Sequence, residues 1–136
     1  MKIPLNFAGL FSIIYEILFF MPKYIFVYLG GEYPDSPEEG QKHFGRYQQW
    51  LGSLGDAVVS PAVPFKGTHV VHPDGSAMPG STTAMSGLSI IRMDSMEQAL
   101  AAAKNCPFLE ISGTLEVSEM IEMPGMTQDS SNETLN

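Results

Sequence analysis

Hydrophobic residues follow two periods along this chain, one typical of strands and one typical of helices. Residues 23–29 are apolar on both alternating faces, the pattern of a strand that is covered above and below. Residues 37–54 carry apolar side chains at helical spacing, and Gly55 follows as a terminator. Ser36 and Pro37 supply an N-cap and a first helical residue. The pattern predicts a strand followed by a helix. Its apolar stripe comprises Phe44, Tyr47, Leu51, Leu54 and Val58, and Trp50 widens it.

The sequence pattern in the middle of the chain predicts three short strands and a loop. Residues 57–63 are strand-like, but Pro61 cannot donate to a sheet ladder and confines this strand to an edge. Residues 67–72 predict a second strand that ends in a Pro-Asp-Gly turn. Residues 76–86 lack any period and predict a loop, whereas residues 87–93 predict a third strand.

The last third of the chain predicts a capped helix and a final strand. Asp94 or Ser95 caps the helix, which Pro107 stops. Residues 114–122 alternate as a strand, and a change of phase near Met120 predicts a bulge. The buried face of the helix is expected to comprise Met96, Ala99, Leu100 and Ala103.

The element order β-α-β-β-β-α-β indicates an α+β fold. It is typical of a ferredoxin-like sandwich with an extra hairpin, in which two helices cover one face of an antiparallel sheet. Residues 23–29 are apolar on the other face too, so a further layer must exclude water from it. We expect a second copy to do so, which predicts a sheet-to-sheet homodimer.

Three segments divide the chain: residues 1–20, a domain over residues 21–123, and a disordered tail over residues 124–136. The first segment is nearly long and apolar enough to span a membrane. Glu16 lies inside it, and inserting its carboxylate into a bilayer costs a few kcal/mol. Four interpretations are open: a weak anchor, an uncleaved signal-like segment, an added core helix, or a start-site artefact upstream of Met21. A membrane partner is expected only if this segment is an anchor.

The composition of the chain limits the partners and the cellular compartment that we expect for it. The 136-residue chain has a formal net charge of −8 and only seven Lys and Arg. It therefore lacks the basic surface that binds the phosphate backbone, and nucleic acid is not expected as a partner. The single cysteine cannot form an intramolecular disulfide, which favours a reducing, cytoplasmic setting. Three scattered histidines match no zinc-site spacing, so neither a metal nor another cofactor is expected.

Six residues are candidates for a site. His43 lies on the shoulder of the helical stripe and is a candidate general base, although an idle surface histidine is equally compatible. Tyr47 and Trp50 are ligand-lining candidates, but plain core packing is favoured. Ser81 and Thr82 offer hydroxyl groups to a carboxylate.

Two other side chains have simple alternative interpretations. Cys106 is a candidate ligand contact, but a buried apolar role is favoured because the C-terminal end of a helix does not activate a thiol. Glu110 is interpreted as a solvated turn charge.

Three stretches resemble the YCII-related family of the dimeric α/β-barrel superfamily. They are Lys23 to Glu32 (KYIFVYLGGE), Ser36 to Leu54 (SPEEGQKHFGRYQQWLGSL) and Lys104 to Met123 (KNCPFLEISGTLEVSEMIEM), about half of the domain in blocks. The resemblance implies a ferredoxin-like fold paired into a dimeric barrel.

The resemblance also implies where chemistry would lie, and two departures weaken it. Many relatives carry an Asp-Gly-Pro-Phe motif where this chain has Met78-Pro79-Gly80-Ser81. Founding members pair a helix-one histidine with an aspartate near the end of helix two. His43 matches the first position, but Cys106 stands at about the second, so the acid/base dyad is incomplete.

Three functions follow as expectations, and whether the protein is an enzyme is left open. The first is a non-catalytic or regulatory dimer that binds an unidentified small molecule. The second is a cofactor-independent isomerase or lyase acting on a small hydroxylated or lactone ring, with His43 as general base. The third, more distant, is a haem-handling monooxygenase of the kind found in the same superfamily.

Overall fold

The computed structural model describes residues 21–122 together with Gly9 and Ile13. The predictions for residues 1–20 and for the tail therefore lie outside the described residues. The strands are β1 (Lys23–Gly30), β2 (Val58–Pro64), β3 (His69–Val71), β4 (Ala77–Pro79), β5 (Met85–Arg92) and β6 (Gly113–Glu119). The helices are α1 (Pro37–Leu54) and α2 (Met96–Ala103), with short 3-10 turns at Gly55–Ala57 and Pro107–Ile111.

Four strands form one antiparallel sheet in the order β2-β5-β1-β6, and β3 pairs with β4 as a separate hairpin. The predicted α+β class, the antiparallel sheet and the two helices are confirmed. This strand order is compatible with a ferredoxin-like sandwich into which a hairpin is inserted between β2 and β5.

The core lies between the two helices and one face of the sheet. Inward-facing aromatic residues of β1 contact residues of both helices, so both helices cover the same face. The buried apolar residues are Tyr24, Phe26, Tyr28, Trp50, Ile91, Ala99, Ala103 and Cys106. Burial of these aromatic side chains is the main source of stability, because apolar area removed from water contributes about 25 cal/mol per Å².

Helix α1 begins and ends where the sequence predicts. The side chain of Ser36 accepts a hydrogen bond from the Glu39 amide at 3.1 Å, and Gly55 ends the helix with a φ of 56°. The predicted stripe is wrong at Phe44, which is 60% exposed, and at Val58, which lies in β2. At 3.6 residues per turn, Phe44 lies about 120° around the helix from buried Trp50, whereas His43 lies within about 20° of it. The inward face of α1 therefore includes the histidine.

Helix α2 buries a narrower face than predicted. Ser95 caps the helix by accepting a hydrogen bond from the Gln98 amide, as expected, and Ala99 and Ala103 are buried. Met96 and Leu100 are exposed, which corrects the predicted buried face. Ala99 and Ala103 are therefore the residues that α2 presents to the core.

Two predictions about strands are wrong. β4 lies inside the segment predicted as a loop, because pairing with β3 supplies backbone partners that no local pattern reveals. The bulge predicted near Met120 is not a bulge: β6 ends at Glu119, and the Met120 amide donates to the carbonyl of Lys23. Pairing stops there because Lys23 is the first residue of β1.

The second face of the sheet carries half-buried apolar side chains. Register pairs Val27 with Leu88 and Ile25 with Ile90 across β1 and β5. β6 places polar residues on the same face, at Thr114, Glu116 and Ser118. The prediction that both faces of β1 are apolar is confirmed. No helix within the described residues is long and apolar enough to cross a membrane.

Candidate functional site

A cavity of about 230 Å³ opens between the loop that follows β1 and the first half of α1. The loop contributes Glu32 to Asp35, and the helix contributes Glu39, His43 and Arg46. Glu110 and Ile111, from the turn that precedes β6, close the far side. The site therefore joins segments that are far apart in sequence, and His43 belongs to it.

His43 is oriented with one ring nitrogen sealed from solvent. Its Nδ1 atom is buried and has no hydrogen-bond partner among the described residues. The neutral tautomer that carries its hydrogen on Nε2 fits this environment, because it leaves a lone pair rather than an orphaned N–H at Nδ1. In a catalytic dyad the second nitrogen donates to an acceptor that orients the ring, and Nδ1 of His43 lacks one.

The cavity is dominated by carboxylates. Four acidic side chains line it, at Glu32, Asp35, Glu39 and Glu110, against the single guanidinium of Arg46. Arg46 Nε donates to Glu110 Oε1 at 2.7 Å, so this carboxylate and the guanidinium largely neutralise each other. The remaining carboxylates favour ligands that carry hydrogen-bond donors or positive charge and disfavour anions.

Three buried hydroxyl groups form a network on the inner face of the sheet. The hydroxyl of Tyr28 lies 2.5 Å from the hydroxyl of Tyr47 and 2.5 Å from Ser89 Oγ. The hydroxyl of Tyr47 lies 3.2 Å from Ser89 Oγ. Burial raises the pKa of Tyr28 and of Tyr47 above the ordinary value for tyrosine, so both phenols are neutral at physiological pH. The network satisfies core polar groups and offers no charged catalyst.

Trp50 and Cys106 are core residues in this structure. Trp50 Nε1 donates to the carbonyl of Ala102 at 2.9 Å, which joins α1 to α2, and its ring packs against Phe26. Burial raises the pKa of the Cys106 thiol from 9.0 to about 11, so the thiolate is scarce at neutral pH. Neither side chain lines the cavity around His43.

Ser81 and Thr82 lie in a different place, at a second cavity of about 290 Å³ beside the β3–β4 hairpin. Ser81 Oγ accepts hydrogen bonds from the amides of Thr83 and Met85, so it shapes its own loop. The six candidate residues thus fall into three groups: His43 at the acidic cavity, Tyr47, Trp50 and Cys106 in or against the core, and Ser81 and Thr82 at the hairpin.

Sequence reasoning missed most of the residues that surround His43. Glu32 and Asp35 lie between β1 and the cap of α1, and the sequence pattern assigned neither of them a role. Glu110, interpreted as a solvated turn charge, contacts Arg46 across the chain. The charges were visible in the sequence, but their convergence depends on where the turn before β6 packs. Within the described residues, no three His, Cys, Asp or Glu side chains cluster so as to hold a metal ion.

No family model matches the chain. No curated protein matches its sequence either. The resemblance to the YCII-related family therefore rests on the three sequence stretches described above.

Proposed function

We propose that this protein binds a small molecule without turning it over, and that the ligand occupies the cavity around His43. The observation that carries the proposal is the environment of His43: its imidazole lines a cavity, yet its Nδ1 has no acceptor. A ring held in this way can donate a hydrogen bond from Nε2. It lacks the orienting partner that a general base of a dyad requires.

The size and charge of the cavity restrict the ligand. About 230 Å³ lies below the usual range for drug-sized ligands, about 300–1,000 Å³, so the ligand is small. Carboxylates accept hydrogen bonds from hydroxyl and amino groups, and Nε2 of His43 offers a donor to a ring oxygen. A hydroxylated or lactone ring fits this chemistry. Haem fits poorly, because its propionates would meet Glu32, Asp35 and Glu39.

A thermal-shift screen tests the proposal. Small polyols, lactones, aromatic acids and haem are added at increasing concentration, and the Tm of the full chain is followed. A hydroxylated or lactone ligand at about 100 times its Kd stabilises the folded state by about 2.7 kcal/mol and raises the Tm. His43→Phe removes the donor and should abolish the shift.

His69→Phe is the matched control, because His69 lies on the hairpin away from the cavity. The control should retain the ligand-induced shift. A shift of equal size in the His43→Phe variant would contradict the assignment of the ligand to this cavity.

The second candidate is an isomerase or lyase with His43 as general base. It is favoured by one observation, the position of a titratable imidazole inside a polar cavity. Any ligand from the screen should be incubated with the protein and followed by NMR. Conversion that His43→Ala reduces by at least 100-fold would establish catalysis and overturn the non-catalytic proposal.

We further propose that two copies pair through the second face of the sheet. The face carries Ile25, Val27, Leu29, Leu88 and Ile90, which are half-buried within one chain. Apolar contact across two such faces excludes water from both. Light scattering at micromolar concentration should give twice the chain mass. A monomer at that concentration would overturn the pairing.

A further inference from the structure

The β3–β4 hairpin forms a separate two-stranded sheet. It lies in the segment of the chain that connects β2 to β5. Its register pairs His69 with Pro79, Val70 with Met78 and Val71 with Ala77. Among the described elements, β3 and β4 contact each other more than they contact any other element. An isolated two-stranded hairpin is at best marginally stable in water, so this one requires a surface to pack against.

Each face of the hairpin carries one pair of apolar side chains. Val70 and Met78 stand opposite each other and share one face, and Val71 and Ala77 share the other. Val71 is 70% exposed and Met78 is 54% exposed. His69 and Pro79 share the face of Val71 and Ala77. An exposed apolar side chain on each face favours a partner that covers the hairpin.

The hairpin also forms one wall of a shallow apolar cavity. Val70 and Met78 line it together with His72, Ser81 and Thr82, and its volume is about 290 Å³. Aliphatic side chains meet hydroxyl groups there, a surface suited to protein contact. By contrast with the acidic cavity around His43, this one is not lined by any acidic residue.

The area of the sheet face indicates which partner covers the hairpin. Four strands spaced about 4.8 Å apart and about 27 Å long give a footprint of roughly 500 Å². This footprint is a planar area, and about a quarter of it belongs to β6, which contributes only polar residues to this face. The apolar part of the face is therefore small, and further apolar surface from each copy would strengthen the pairing.

We propose that the β3–β4 hairpin is a docking arm that packs against the second copy of this chain. The arm joins two neighbouring strands of the proposed dimer sheet, β2 and β5, so it extends from the paired region itself. In a two-fold dimer each copy contributes one arm, and the partner removes Val71 on one face of the arm and Met78 on the other from water. The inference rests on the homodimer proposed above.

The test compares two double variants of the full chain in analytical ultracentrifugation over a dilution series. Val71→Ser with Met78→Ser should raise the dimer Kd at least tenfold, because two apolar contacts per copy are lost. Phe44→Ser with Met96→Ser is the matched control. These residues are also exposed but lie on the helices, on the opposite side of the sheet, and should leave the Kd unchanged.

Hydrogen exchange provides a second measurement that does not depend on a variant. Amides of residues 69–79 in the unmodified protein should become at least tenfold better protected as the concentration rises through the dimer Kd. A dimer of unchanged Kd in the Val71→Ser, Met78→Ser variant overturns the docking arm and leaves the sheet-to-sheet dimer standing. A monomeric unmodified protein overturns both proposals.

Discussion

Phe26 and Phe44 show how the position of a phenylalanine decides its contribution to stability. Phe26 is fully buried between the sheet and Trp50, whereas Phe44 is 60% exposed on α1. Phe26→Ala should lower the free energy of unfolding by about 3–5 kcal/mol, since it removes buried area and leaves a cavity. Phe44→Ala should lower it by no more than about 0.5 kcal/mol. Urea denaturation followed by circular dichroism measures both, and similar losses would contradict the described core.

Cys106 makes a pH-dependent contribution to stability. Folding raises the pKa of its thiol from 9.0 to about 11, because burial disfavours the thiolate. A group whose pKa is raised by folding contributes stability that is complete below the unfolded value and is lost as the pH rises through the folded value. The free energy of unfolding should therefore fall between pH 9 and pH 11.

The slope of the free energy of unfolding against pH separates the contribution of the thiol from that of other groups. Cys106→Ala should lose stability less steeply between pH 9 and pH 11 than the unmodified protein, because it has no thiol to titrate. Urea midpoints at each pH give the two slopes, and equal slopes would show that the thiol does not contribute. Tyr28 and Tyr47 are present in both proteins, so their titration cancels in the comparison.

Residue types indicated the chemistry of single positions but not which residues would lie next to them in space. Ser36, Ser95 and Gly55 act at helix ends as expected, because caps depend on neighbours within four residues. The burial of Cys106 was also favoured from sequence. The contact of Arg46 with Glu110 joins residues 64 positions apart and had no local signal.

At the scale of elements, β2 and β5 meet at a point where only glycine fits. A Cβ at Gly87 would lie 2.8 Å from the carbonyl oxygen of Val63 and 3.3 Å from Cα of Pro64, both backbone atoms of β2. Gly87→Ala should therefore push the edge strand away and lower the free energy of unfolding by about 1–3 kcal/mol.

Gly45 on α1 is the matched control for Gly87. A Cβ there would meet nothing within 4 Å, and its backbone is already helical. Gly45→Ala should raise the free energy of unfolding by about 0.5–1 kcal/mol, because alanine loses less conformational entropy in a helix. Thermal denaturation of the two variants should shift the Tm in opposite directions. A neutral Gly87→Ala variant would show that β2 is loosely attached.

Elements with a strong local pattern were predicted, and elements defined by pairing were not. Helix α1 and strand β1 appear within one residue of their predicted bounds, because their patterns extend over many residues. β4 has three residues and no alternation, so only its partner β3 defines it. The start of β5 was misplaced for the same reason, since Leu29 of β1 pairs with Met85 after a register shift.

At the scale of the whole molecule, the second face of the sheet is the surface through which we propose that two copies pair. Val27 lies on that face and pairs with Leu88 and Glu116. Val27→Arg would place a charge in the proposed interface, where an unpaired charge is costly to desolvate. Light scattering should then detect a monomer at concentrations where the unmodified protein is a dimer.

Gln98→Arg is the control for this charge change. Gln98 is exposed on α2, so the substitution adds the same charge on the other side of the sheet and should leave the dimer intact. Circular dichroism verifies that both variants remain folded. A folded Val27→Arg dimer of unchanged affinity would contradict pairing through this face.

The sequence by itself determined the α+β class, the two capped helices, the central apolar strand and the acidic net charge. These properties depend on side-chain periodicity, local capping and summed charge, each of which is readable along the chain. Only the tertiary structure decided the hairpin pairing, the exposure of Phe44 and the acidic cavity around His43. Those depend on which distant segments pack together, because burial and electrostatic fields arise from neighbours in space.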